Sequence, residues 1–203
     1  MNEPGAASQI LDGRPELEQK PPTSSTSERE HDMAHTTVIY EGAEGHRLRT
    51  SQLEVVGIAD DGLEHALHEA LDEGAKRIEL CGGMGIADLV RARDLVAGRV
   101  PVRLLRYGFE SLELIADYKR AFAAGDQRPA VFLYPATAGT QPVEHPDVTI
   151  LPVHDDDHAE RIGEHLTAEG IGLVELYGGL GPTTAAAVFW GAKGAVPVGF
   201  VDV

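Results

Sequence analysis

Along this chain, apolar runs with the period of a strand alternate with apolar positions at the spacing of a helical face, and the succession occurs twice. Thr36-Thr37-Val38-Ile39-Tyr40 and residues 53–59 read as strands in the first half. Val131-Phe132-Leu133-Tyr134 and residues 148–153 answer them in the second, again rich in β-branched and aromatic side chains. A polar loop joins each pair. Leu63, Ala66, Leu67, Ala70 and Leu71 then recur on one helical face, and Ala159, Ile162, Gly163, Leu166 and Thr167 hold the same places more weakly. Asp61 and Asp157 are expected to cap these helices, with Glu64 and Glu160 reaching back to the first turn. Gly74 and Gly170 stand where a left-handed residue ends them. Next come buried strands at Ile78-Glu79-Leu80-Cys81 and Val174-Glu175-Leu176-Tyr177, each running into a glycine turn. Helices over 86–97 and 182–193 follow, then strands over 100–105 and 196–201. Residues 111–124 read as a connecting helix.

The two glycine turns lie about 96 residues apart, and Gly98 with Gly194 and Val100-Pro101-Val102 with Val196-Pro197-Val198 keep that offset. A period this long means a duplicated domain rather than a solenoid. Each repeat reads β-β-α-β-α-β, and strands separated by such helices are parallel with right-handed crossovers. The expected class is therefore α/β: two tandem repeats with mainly parallel sheet, packed as an internal pseudo-dimer that imitates a two-fold homodimer. Strand order does not follow; two sheets, one continuous sheet or a closed barrel-like arrangement all fit. The expected division is a disordered tail over 1–35, a first repeat over 36–107, a connecting helix and linker over 108–128, and a second repeat over 129–203. The tail carries Pro21-Pro22-Thr23-Ser24-Ser25-Thr26-Ser27 and almost no apolar residues that could build a core. Met33 precedes the first strand and is read as the true start, with a functional tail as the alternative.

Composition narrows the partners. The net charge of −16 over 203 residues repels phosphate backbones and anionic membranes, so neither nucleic acid nor membrane is expected as a partner. No apolar run approaches the roughly 20 residues that span a bilayer. The N-terminus has no apolar signal region, and a cytoplasmic location is expected. A single cysteine excludes an intramolecular disulfide and a multi-cysteine zinc site. The expected partner is a small molecule, and the expected assembly a monomeric pseudo-dimer or a homo-oligomer. No cofactor follows from the sequence.

At Glu79-Leu80-Cys81-Gly82-Gly83-Met84-Gly85, followed by Val100-Pro101-Val102, the chain resembles a family of small uncharacterised bacterial α/β proteins. That family is a domain of unknown function with a Glu-Leu-Cys-Gly-Gly-aromatic-Gly-Pro turn and a later Val-Pro-Val-Gly strand. The second repeat keeps Gly181-Pro182 and Val196-Pro197-Val198-Gly199 but has Tyr177 for the cysteine. The first keeps Cys81 but has Ile86 for the proline and Arg103 for the last glycine. The resemblance covers residues 36–203 and implies the fold; the family brings no activity with it.

The candidate chemistry gathers at the turns. In parallel α/β sheets, ligands bind beyond the carboxyl ends of strands. Gly82, Gly83 and Gly85, with Gly178, Gly179 and Gly181, would there offer N–H groups and a helix N-terminus to a carboxylate, phosphate or enolate oxygen. The spacing is neither a P-loop nor the dinucleotide fingerprint. The alternative is a tight turn that needs glycine. Glu79 and Glu175 are carboxylates inside otherwise apolar strands, where each needs partners or becomes protonated. Each is a candidate general acid or base, or a structural anchor that accepts hydrogen bonds from its own turn or across the pseudo-two-fold interface. Cys81, near a helix N-terminus, is a candidate reactive thiol or a small core residue. Arg103, Arg106 and Tyr107 close the first repeat's last strand where the second has Gly199, Asp202 and Val203. Arg106 is the candidate to hold a carboxylate, and Tyr40 and Tyr134 to line the mouths. In His154-Asp155-Asp156-Asp157-His158 the capping role outweighs a metal, so no metal ligand is assigned; Trp190 is expected in the core. Two functions remain. One is a small-molecule-binding protein for an anionic or carbonyl ligand, with lyase or isomerase chemistry at Glu79. The other is a non-catalytic binding or assembly module whose turns are structural. The asymmetry makes the first repeat the expected working half.

Overall fold

The computed structural model describes residues 35–202 apart from 43, 44, 60, 127, 138, 139, 146 and 147; the expected tail lies outside these residues. The first repeat runs β1 (Thr36–Glu41), β2 (Arg47–Arg49), β3 (Leu53–Ile58), α1 (Leu63–Asp72), β4 (Arg77–Leu80), α2 (Ile86–Val96) and β5 (Val102–Leu104). A two-residue strand, β6 (Arg106–Tyr107), a 3-10 turn (Phe109–Ser111) and α3 (Leu112–Ala123) link it to the second. That repeat runs β7 (Ala130–Pro135), β8 (Val143–Glu144), β9 (Val148–Val153), α4 (Asp156–Leu166), β10 (Leu173–Leu176), α5 (Pro182–Gly191) and β11 (Val198–Phe200).

The repeats form two sheets with one topology. The first has the order β2-β3-β1-β4-β5 and the second β6-β11-β10-β7-β9-β8. Within each, four strands pair in parallel, β3-β1-β4-β5 in the first and β9-β7-β10-β11 in the second. The polar loops after β1 and β7 hold short antiparallel edge strands, β2 and β8, where the sequence pattern predicts only loop. Arg47 and Arg49 secure β2 by donating to Oε1 of buried Glu54 on β3, at 3.0 and 2.7 Å. β6 leaves its own repeat and pairs antiparallel with β11 of the other.

Helices α4 and α5 cover one face of the second sheet, with Val131, Leu133, Val174 and Leu176 beneath them. The opposite face, with Phe132, Tyr134, Ile150 and Tyr177, belongs to the core of the first repeat. Strand alternation puts Phe132 and Glu175 on that inner face as neighbours in register. Val38 and Glu79 are neighbours in the same way in the first sheet. Phe132 meets Tyr40 of the first repeat edge-on at 5.9 Å and Tyr177 at 5.1 Å. One core thus spans both sheets, and a second lies beneath α4 and α5.

Three expectations are corrected. Asp61 does not cap α1: Gly62 holds that position and makes no side-chain cap bond. Asp155, not Asp157, caps α4, its Oδ1 accepting the N–H of His158 at 2.7 Å. Asp157 lies within the first turn, favoured by the helix dipole but not capping. Trp190 is 68% exposed; α5 is apolar all round, so its pattern gave no sign of which face turns inward. Gly74 and Gly170 adopt φ of +84° and +70° just past their helices, the left-handed values the sequence required of them. Among the described residues no helix is long and apolar enough to cross a membrane.

Candidate functional site

Each repeat's buried strand glutamate grips the other repeat's glycine turn. Glu79 Oε2 accepts the N–H of Gly178 at 2.8 Å, and Glu175 Oε1 accepts the N–H of Gly82 at 3.0 Å. Both side chains are almost wholly buried. Within its repeat, Glu79 corresponds to Glu175 and Gly82 to Gly178, so the two bonds are one contact related by the pseudo-two-fold.

The surroundings of the two carboxylates differ. Glu79 Oε1 receives Arg77 Nη1 at 3.1 Å. Glu175 receives two hydroxyls instead: Tyr107 reaches Oε1 from β6 at 2.5 Å, and Tyr177 reaches Oε2 from its own strand. Burial raises both carboxyls above the usual range. The N–H of Gly178 and the charge of Arg77 oppose it at Glu79; the two hydroxyls and the N–H of Gly82 oppose it at Glu175. Burial, and then the charge of Glu175, pushes the Cys81 thiol up to about 12 and both tyrosines well above their ordinary value. That direction disfavours a thiolate at Cys81.

Beside the Glu175 contact lies a cavity of about 250 Å³. Its upper wall is the carboxyl end of the first sheet: Tyr40 and Glu41 of β1, then Cys81, Gly82 and Gly83 after β4. Its floor holds Ala130, Val148 and Leu173, the first residues of β7, β9 and β10, with Phe132 and Glu175 further along. Tyr107 closes one side. Ile115, Tyr118, Lys119 and Phe122 reach in from α3, a helix none of whose residues is buried, and Arg128 from the segment after it. Ile115 and Tyr118 both line this space and pack against the edge of the core.

Of the residues singled out from the sequence, Tyr40, Cys81, Gly82, Gly83 and Glu175 line the cavity. Glu79 does not; it is enclosed between Gly178 and Arg77. Arg106 is exposed on β6, because alternation sends its neighbour Tyr107 inward. Gly199 on β11 makes room for that ring: a Cβ there would lie 2.9 Å from Tyr107 Cε1. Arg103 Nη1 donates to the carbonyl of Asp202 at 3.0 Å. Gly85 opens α2, and its N–H is taken by Asp88 Oδ2 at 2.7 Å. Gly181 opens α5, where Pro182 has no N–H to offer. Gly178 and Gly179 bend with φ of +67° and +93°. The turns therefore present fewer free N–H groups to an anion than their sequence suggested. His154 and His158 stack at 5.0 Å, and among the described residues no three His, Cys, Asp or Glu side chains converge on a point that could hold a metal ion. Glu41, Lys119, Arg128 and Leu173 were not foreseen. The apolar spacing of Ile115, Tyr118 and Phe122 on one helical face was the available sign of α3's role.

A duplicated α/β protein with crossed glutamate clamps and a cavity between its repeats is the class so defined. The chain belongs to a family of unknown function, DUF6506, whose model matches residues 42–120 and again 137–203. The double match agrees with the duplication and with the motif resemblance. A comparison with curated proteins finds no match. Among solved structures the chain is similar to an ABC transporter solute binding protein from Bacillus halodurans C-125 with bound myo-inositol, at 8% identity over 82% of this chain and 75% of that one, TM-score 0.26. It is also similar to a galactofuranose binding protein, at 10% identity over 80% and 72%, TM-score 0.24. A Mycobacterium smegmatis structure gives 13% identity over 80% and 68%, TM-score 0.25. Likenesses this faint carry no argument about function.

Proposed function

We propose that the chain binds a small molecule in the cavity between its repeats. The observation that carries this reading is the cavity itself: a space of about 250 Å³, apolar on most sides, into which Glu175 and Tyr107 bring a few converging polar atoms. A compact molecule with an aromatic or aliphatic body fits such walls. An anionic or carbonyl group on it is best met at the α3 end, by Lys119 and Arg128, since the N–H of Gly82 is spent on Glu175. Proton transfer to a bound molecule is assigned to Glu175 rather than Glu79, because only Glu175 lines the cavity. The second turn keeps a structural role, as the clamp on Gly178 favours.

The test is native mass spectrometry of the protein as purified, beside Ile115→Trp, which fills the cavity from the half-buried face of α3. The reading expects a small molecule on the wild type that is absent from a folded Ile115→Trp. The same bound mass on both proteins, or none on either after exposure to a metabolite extract, contradicts it.

A further inference from the structure

The pseudo-two-fold places a side chain of the protein itself where a ligand of the cavity would sit. Arg77 and Leu173 are equivalent residues: each opens its central strand, Arg77 in register with Thr36 and Leu173 with Ala130. Each shares a sheet face with the glutamate two residues on. In the second cradle, the Arg77 guanidinium donates to Glu79 and lies over the opposite turn, its Nη1 3.2 Å from where a Cβ on Gly179 would be. In the first cradle the same position starts with Leu173, too short to reach Glu175, and the space beyond it is part of the cavity. Among the described residues no cation pairs with Glu175. Glu41 adds a second carboxylate: its Oε2 is 3.6 Å from the Cβ position of Gly83.

Resting on the binding reading above, we propose that the cavity takes an organic cation, an amine, amidine or guanidine on a compact apolar body, whose nitrogen hydrogen-bonds Glu175 as Arg77 hydrogen-bonds Glu79. Glu175 has the capacity for it. A carboxylate offers about four acceptor positions, and Gly82, Tyr107 and Tyr177 use three. The hydroxyl oxygen of Tyr107 is a further acceptor on the same wall. Phe132, Tyr118 and Phe122 line the space that the body of the molecule would fill. The second repeat is then a permanently self-occupied version of the site, with Arg77 as its tethered occupant.

The experiment is a titration of the full chain, followed by amide NMR, with benzamidine and its neutral isostere benzamide. Benzamidine should bind at least about tenfold more tightly, the margin of one charge-assisted hydrogen bond, and should shift Gly82 and Gly83. Glu175→Gln, which can still accept the Gly82 N–H, should erase the difference. Leu173→Arg should tether a guanidinium in the first cradle and abolish benzamidine binding, while Leu173→Met keeps it. Benzamide binding at Gly82 as tightly as benzamidine overturns the cation and leaves the small-molecule site standing. Unchanged benzamidine affinity in a folded Leu173→Arg also overturns the proposal. No shift at Gly82 or Gly83 with either probe at millimolar concentration overturns the cation proposal together with the site.

Discussion

Glu79 holds Gly178 across the repeat boundary, its carboxylate 2.8 Å from the glycine N–H. The mirror contact of Glu175 with Gly82 makes the duplication a single structural unit, because each repeat's strand glutamate holds the first glycine of the other repeat's turn. Removing the Glu79 carboxylate strands a half-buried N–H and leaves Arg77 without its partner. Glu79→Ala should therefore cost on the order of 3 kcal/mol. Glu79→Gln, which keeps an acceptor, should cost less. Urea unfolding midpoints of the two variants check this; a Glu79→Ala protein as stable as the wild type contradicts the clamp.

Gly82 is required for space rather than for an unusual backbone angle. A Cβ there would lie 2.4 Å from Tyr107 Cε2 and 2.7 Å from Glu175 Oε1. Gly82→Ala should destabilise the protein, and the cost should shrink when Tyr107 is also replaced by Ala. A double-mutant cycle in denaturant should return a coupling of about 0.5–3 kcal/mol. Additive effects would show that Gly82 and Tyr107 do not compete for this space.

The true cap of α4 is Asp155. Asp155→Ala should cost about 0.5–2 kcal/mol in thermal or urea unfolding, while Asp61→Ala and Asp157→Ala stay within a few tenths. Equal losses at Asp155 and Asp157 would return the cap to its expected place.

The architecture was legible because it is local and repeated. From the central strands onward the repeats kept one offset, and Gly74 and Gly170 punctuated both copies alike. The parts that were not legible depend on partners distant in sequence. Arg47-Leu48-Arg49 is too short and too polar to read as a strand, and becomes one by pairing with β3 through Glu54. β6 joins the other repeat's sheet, a choice no local pattern expresses. Glu79 and Glu175 look alike in sequence. Their different fates follow from Arg77 against Leu173, and from Tyr107 arriving from the linker. The Arg77–Leu173 exchange was visible at the common offset, but its meaning needed the fold.

Glu175 carries a definite pH signature. Its folded pKa is raised by burial, so the folded state holds the proton more tightly than the unfolded one. Stability contributed by this group is full below the ordinary carboxylate value of about 4.3 and declines as pH rises from there through the folded pKa. Glu79 acts in the same direction, whereas Glu54, whose pKa is lowered by Arg49 and Arg47 in spite of burial, acts oppositely. Glu175→Gln should therefore gain stability relative to the wild type as pH rises above about 4.3. Melting curves across the acid-to-neutral range check the sign; a stability difference that does not change with pH contradicts it.

The central claim is that one of two equivalent cradles is open and the other is filled by Arg77. Amide chemical-shift mapping on the full chain tests it most directly, with a fractionated metabolite extract added in steps. The account predicts that an active fraction moves Gly82 and Gly83 while Gly178 and Gly179 stay in place. An equal response at both turns, or a response confined to Gly178 and Gly179, would contradict it.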